Sequence, residues 1–124
     1  MSPGLLGVVV GHGGVAAALV AAAEEISGIR GALSPVTNTG ADREELERRV
    51  VEAVGERDAI VFVDMPSGSC LFAAMRRLAL RPTVRVVTGV NLVMLLDFLF
   101  HREQPVEEVA RRAVESGAKS IVAR

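Results

Sequence analysis

Three short stretches of the chain hold the residue types that handle a phosphoryl group. They are Gly11-His12-Gly13-Gly14, Asp64-Met65-Pro66-Ser67-Gly68-Ser69 and Gly89-Val90-Asn91. A neutral imidazole carries a proton on one nitrogen and a lone pair on the other. A carboxylate that accepts the N–H fixes the tautomer and leaves the second nitrogen as a free nucleophile. His12 is therefore the candidate nucleophile and Asp64 its orienting partner. Gly68 and Ser69, at the expected start of a helix, supply N–H donors and a hydroxyl suited to phosphoryl oxygens. Ser69 completes the catalytic set, and Gly13, Ser67 and Gly68 form the expected phosphoryl-binding loop positions. The chemistry this describes is phosphoryl transfer to and from histidine. Where the energy is already held in an N–P bond, the step needs no metal, nucleotide or other cofactor.

For these stretches to meet, each must leave the carboxyl end of a strand. Leu5–Val10 reads as a strand, because Val8-Val9-Val10 is the kind of β-branched run that parallel sheets bury on both faces. A helix follows from about Gly14 to Ser27, with Gly28 placed to end it. Ile29–Val36 is a weaker strand, interrupted by Gly31 and Pro35, and proline puts it at a sheet edge. After a loop over Thr37–Ala41, Asp42 caps a second helix, with Glu45 as its capping-box partner and Leu46, Val50, Ala53 and Val54 as its buried stripe. Gly55 ends that helix. Ala59–Val63 is a buried strand that terminates in Asp64. Ser69 is the expected N-cap of a helix from Cys70 to about Leu80, which Pro82 stops. Val84–Thr88 is the fourth strand. Leu92–Phe100 is a helix apolar almost all round, to be buried by the domain or by a second subunit. Pro105 and the Val106, Val109, Ala110, Ala113, Val114 stripe mark the last helix, ending at Gly117, and Ser120–Ala123 is a short terminal strand. The alternation predicts one α/β domain over residues 1–124. Its architecture is an α/β/α sandwich with a mostly parallel sheet, helices on both faces and a C-terminal edge strand.

Bulk composition excludes several functions. Half of the 124 residues are hydrophobic but only 3% are aromatic, with no Trp or Tyr, so bases have little to stack on. The formal net charge is −1, which gives no basic field for nucleic acid. The single cysteine, Cys70, has no internal disulfide partner, the N-terminus lacks a charged leader region, and no apolar run reaches the length of a membrane span. A cytoplasmic protein is expected.

The sequence resembles the enzyme IIA component of the mannose family of the bacterial phosphoenolpyruvate-dependent sugar phosphotransferase system. The resemblance spans nearly the whole chain. It rests on the glycine-flanked His12, on Val61-Phe62-Val63-Asp64 followed by Ser67-Gly68-Ser69, and on Gly89-Val90-Asn91-Leu92-Val93-Met94-Leu95. It implies that His12 accepts a phosphoryl group from the phosphocarrier HPr and passes it to a IIB component in sugar uptake. Asp64 would be its hydrogen-bond partner and Ser69 the hydroxyl beside it. It also implies a homodimer in which the strand matched by Ser120–Ala123 crosses to the partner sheet. Contact with the membrane transporter would run only through its other components. The chain departs from the family where a usual Gly-Gly-Ser-Pro reads Ser67-Gly68-Ser69-Cys70. Pro66 stands where an aromatic is often found, and Gly11 where Thr is common. These changes reshape the loop at the acceptor and bear on partner choice more than on chemistry.

Other residues have plainer readings. Asn91 is an N-cap, His101 beside Arg102 ends a helix, Arg76-Arg77 is a solvated patch, Asp97 faces water from its apolar helix, and Cys70 is a small core residue. Two rival functions remain. One is a regulatory phosphoprotein that uses the same chemistry as a switch without transport. The other is a small nucleotide-binding module, since Gly11, Gly13 and Ala16 satisfy G-x-G-x-x-A. No acidic residue closes the second strand to hold a ribose.

Overall fold

The computed structural model describes residues 4–124; Met1–Pro3, part of the segment read above as lacking a charged leader, lie outside the described residues. The elements in order are β1 (Leu6–Gly11), α1 (Val15–Ser27), β2 (Leu33–Thr37), α2 (Arg43–Val54), β3 (Ala59–Val63), α3 (Ser69–Leu78), β4 (Val84–Thr88), α4 (Leu92–His101) and α5 (Val106–Lys119). The four strands make one parallel sheet in the order β2-β1-β3-β4.

The centre of the sheet goes to the two most apolar strands, β1 and β3, in which every residue is buried. Alternate residues face opposite layers. Val9, Ile60, Phe62 and Val87 pack against α1, α4 and α5, and Val8, Val10, Val61 and Val63 against α2 and α3. Phe62 meets Phe98 of α4 edge-to-face, with ring centroids 5.4 Å apart. Gly7 lies where β1, β2 and α4 come closest: a Cβ there would sit 2.6 Å from Leu33 Cδ2 and 2.8 Å from Phe98 Cε2. Pro35 is at the sheet edge, as its missing donor requires, paired with Val9 on β1.

Several boundaries differ from the expectation. β2 begins at Leu33 rather than Ile29, because Gly31 turns the chain with φ of 81°. α3 stops at Leu78 rather than Leu80, whose side chain is almost fully exposed. Gly117 does not end α5; it sits inside the helix because a Cβ there would lie 2.5 Å from Met94 Cγ, so the α4–α5 approach requires its absence. The all-apolar α4 is covered by the domain on one side only: Met94, Leu95, Phe98 and Leu99 are buried between α1 and α5, while Val93 and Phe100 stay exposed. Asp97 does not face water. It is largely buried against α5, where Oδ1 accepts a hydrogen bond from Ser116 (3.0 Å). The terminal strand does not form within the single chain: residues 121–124 have no ladder partner among the described residues, and Ile121 and Val122 are 77% and 61% exposed. Asp42 caps α2 by accepting from the Glu45 N–H (2.8 Å), but the reciprocal half of the box is missing because the Glu45 carboxylate turns to Arg48 and Arg49.

Candidate functional site

β1 and β3 are neighbours, and the chain leaves them in opposite directions, β1 toward β2 and β3 toward β4. The gap beyond their carboxyl ends is the switch point at which such sheets bind ligands. Gly11 ends β1 and Val63 ends β3, so the next residues, His12 and Asp64, are delivered to the two sides of this gap.

They are in direct contact. Asp64 Oδ2 accepts from the His12 backbone N–H at 2.9 Å and lies 2.7 Å from His12 Nδ1. An ionised carboxylate only accepts, so the shared proton belongs to Nδ1 and Nε2 keeps its lone pair. The His12 side chain is 41% exposed and that of Asp64 13%, which leaves the ring open to an incoming group while its anchor is buried. Burial pushes the Asp64 carboxyl up. The two hydrogen bonds from His12 and the attraction of its ring outweigh this, so the pKa falls below the ordinary 3.8. Asp64 is ionised at neutral pH. Its other oxygen, Oδ1, is buried with no hydrogen-bond partner among the described residues.

The loop after His12 is held from the end of β2. Gly13, at φ of 57°, donates its N–H to Asn38 Oδ1 (3.2 Å), and its carbonyl accepts from Thr37 Oγ1 (2.8 Å). Thus the Gly13 N–H is engaged within the chain. So is that of His12. The G-x-G-x-x-A reading needs those donors for a pyrophosphate, and the geometry spends them on Asp64 and Asn38.

Ser67, Gly68 and Ser69 lie exposed at the start of α3. The cap position belongs to Gly68, with φ of 97°, and not to Ser69, which is the first helical residue; no side chain caps this helix. Beside them Arg43, Gly68, Ser69 and Phe72 line a depression of about 300 Å³. The Arg43 guanidinium is 4.9 Å from the centroid of the exposed Phe72 ring, which puts a cation next to Ser69. Cys70, in the first turn of α3, is fully buried, and its Sγ reaches 3.9 Å from His12 Nδ1. Burial first, and then the Asp64 charge, push its thiol pKa up.

Asn91 is structural, as its type suggested: Oδ1 accepts from the Met94 N–H (3.0 Å), and Nδ2 donates to the Gly117 carbonyl. His101 is also structural. Its Nδ1 is 2.8 Å from the Asp97 carbonyl, and its Nε2 faces Arg112. Arg76 and Arg77 both flank the nearly buried Glu47. Reading the sequence missed Thr37, Asn38 and Arg43 as neighbours of the site. The first two carried a usable signal, a polar pair directly after an edge strand adjacent to β1; Arg43 carried none.

The model of the family described as the PTS system fructose IIA component, EIIA-man, matches residues 7–115. No curated protein sequence matches the chain. Among solved structures, the chain is similar to the phosphotransferase system component EIIA from Streptococcus agalactiae (18% identity, 96% of each chain covered, TM-score 0.88). It is also similar to the mannose/sorbose specific IIA subunit from Enterococcus faecalis (20% identity, 98% of this chain and 96% of that one, TM-score 0.85). A third likeness is to the PTS IIA protein associated with the fucose utilization operon of Streptococcus pneumoniae (21% identity, 99% and 96% covered, TM-score 0.75). At these identities the likeness establishes the shared fold.

Proposed function

The chain belongs to the PTS fructose/mannose IIA (EIIA-man) family, and from that premise we propose that residues 1–124 act as a single phosphocarrier domain whose acceptor is Nε2 of His12. The observation that carries this reading is the 2.7 Å contact of His12 Nδ1 with Asp64 Oδ2, in which a buried, ionised carboxylate holds an exposed imidazole.

In the proposed step, Nε2 attacks the phosphorus of a phosphohistidine on the donor protein in line. The Nε2–P bond forms as the donor's N–P bond breaks, and the donor nitrogen leaves with the electron pair. The His12 ring, still protonated at Nδ1, gains positive charge, which the Asp64 carboxylate stabilises across a short charge-assisted hydrogen bond. The backbone N–H groups that open α3 and the Ser69 hydroxyl face the phosphoryl oxygens, and Arg43 adds a cation at the rim. Transfer onward is the same sequence reversed.

The proposed donor is HPr and the proposed acceptor a IIB component in sugar uptake, with the protein working in the cytoplasm. Among the described residues, no helix is long and apolar enough to cross a membrane. The exposed Phe72 and Met75, beside Arg43 and Arg76, give partners an apolar, basic face next to the acceptor. The exposed Ile121-Val122 segment supports a homodimer in which it pairs with the partner's β4 edge.

The test is intact mass after incubation with phosphoenolpyruvate, enzyme I and HPr, for the wild-type protein and His12→Ala. One acid-labile phosphate on the wild type and none on the variant is the expected result. No phosphate on either, with the donor proteins shown to be active, overturns the carrier reading.

A further inference from the structure

A carboxylate oxygen of Asp64, a ring nitrogen of His12 and Cys70 Sγ lie within 4.8 Å of one another, a grouping of three metal-ligating atom types on three separate chain segments. Phosphoryl transfer as derived above uses two of these residues and gives Cys70 no task. From this juxtaposition we infer that His12, Asp64 and Cys70 form a binding site for a divalent ion of the zinc class.

The distances suit such an ion. Zinc sites place sulfur at about 2.3 Å and nitrogen or oxygen at about 2.0–2.2 Å, so tetrahedral ligands lie about 3.4 Å apart for N and O and about 3.6 Å apart for S and N. The observed separations are 2.7 Å for Nδ1–Oδ2 and 3.9 Å for Sγ–Nδ1. Shifts of about 0.7 Å and about 0.3 Å would bring these two pairs to tetrahedral separations, and the third pair, carboxylate oxygen to Sγ, lies within 4.8 Å. Rotation of the exposed His12 ring provides the first, because a cation between Nδ1 and the carboxylate replaces the proton that now joins them.

The ligand set is also selective. Thiolate with imidazole favours zinc and its neighbours over magnesium or calcium, which take oxygen ligands. Three protein ligands with one open position, filled by water from the exposed side of His12, is a usual zinc arrangement. A separate observation points the same way. The side chain of Asp64 is 13% exposed, and its Oδ1 has no hydrogen-bond partner among the described residues, so this second oxygen is also available to an ion. The protons balance. Asp64 is already ionised, the His12 proton moves from Nδ1 to Nε2, and one proton leaves with the conversion of the Cys70 thiol to thiolate.

Binding of the ion does not depend on the phosphocarrier reading, but its consequence does. A metal on Nδ1 moves the proton onto Nε2, so the ion and the phosphoryl group would compete for His12.

The experiment is a cobalt(II) titration of the chelator-treated, reduced protein in buffer free of phosphate, followed by zinc displacement. The expected result is one saturable site with near-ultraviolet thiolate-to-cobalt absorption that zinc abolishes. Cys70→Ser should lose that absorption and bind at least about a hundredfold more weakly, since loss of a mere outer-shell partner costs ten- to a hundredfold. His12→Gln alters an exposed side chain, so it should stay folded by circular dichroism and also bind more weakly. It decides the matter if Cys70→Ser fails to fold. No saturable absorption in the wild type, or His12→Gln binding as tightly as the wild type, overturns the site.

Discussion

Asp64→Asn is the sharpest probe of how His12 works. Asparagine keeps the shape of the carboxylate and removes its charge. Both N–H donors that reach Asp64, the backbone and ring of His12, converge on the single atom Oδ2. The amide must therefore put its oxygen there, because its NH2 would oppose the backbone N–H. This orientation keeps the proton on Nδ1 and the lone pair on Nε2. What is lost is the charge: hydrogen bonds to charged groups are worth about 1.5–3 kcal/mol against about 0.5–1.5 for neutral pairs. The deficit of about 1–2 kcal/mol in the transition state corresponds to roughly a 5- to 30-fold slower phosphoryl acceptance. Asp64→Ala removes the anchor altogether, frees the ring and leaves a backbone N–H unpaired, so it should be slower still. The assay is rapid-quench phosphorylation by a limiting amount of phosphorylated HPr, with thermal unfolding as the control for fold. A wild-type rate for Asp64→Asn would refute the stabilising role of the carboxylate charge, and a wild-type rate for Asp64→Ala would refute the orienting role. A loss near ten-thousandfold in a folded variant would refute the tautomer, since that is the scale seen when a triad histidine is held in the wrong one.

Three further outcomes follow from the same geometry. Asp64 has a lowered pKa in the fold, so its stabilising contribution is complete above its ordinary value near 3.8 and is lost as pH falls through the folded value; urea midpoints of the wild type should drop over that acid range more than those of Asp64→Asn. Gly7→Ala should destabilise the protein by about 1–3 kcal/mol in urea unfolding, because the new methyl meets Leu33 and Phe98 well inside contact distance in a packed core. The proposed homodimer predicts that the wild type sediments as a dimer in sedimentation velocity and that Ile121→Asp with Val122→Asp, which should leave the fold intact because both side chains are exposed in the single chain, sediments as a monomer.

Much of the architecture was legible because it rests on local rules. The apolar runs at Val8–Val10 and Ala59–Val63 have no amphipathic alternation, which suits the centre of a parallel sheet, and they took its two central places. Pro35 assigned its strand to an edge by the donor it lacks. His12 and Asp64 came together because each directly follows one of these neighbouring strands. The misjudged helix end at Gly117 and the misjudged exposure of Asp97 share one cause. Both residues answer to the α4–α5 contact, and a residue's partner on another helix is invisible in its own periodicity.

Cys70 shows where reading along the chain runs out. Its helical phase marks it as core, and it is core: the side chain is fully buried among α3 and the sheet. The same phase aims the first turn of α3 back at the carboxyl end of β1, which brings Sγ to 3.9 Å from His12 Nδ1. A residue in the first turn of a helix at a switch point is thus a core residue on one side and a lining residue on the other. Sequence periodicity reports only the first of these. Ser69, one position earlier, is rotated outward and exposed. Adjacent residues on one helix therefore divide between two environments. The loop Ser67-Gly68-Ser69-Cys70 thus presents a hydroxyl to solvent and turns a thiol toward His12.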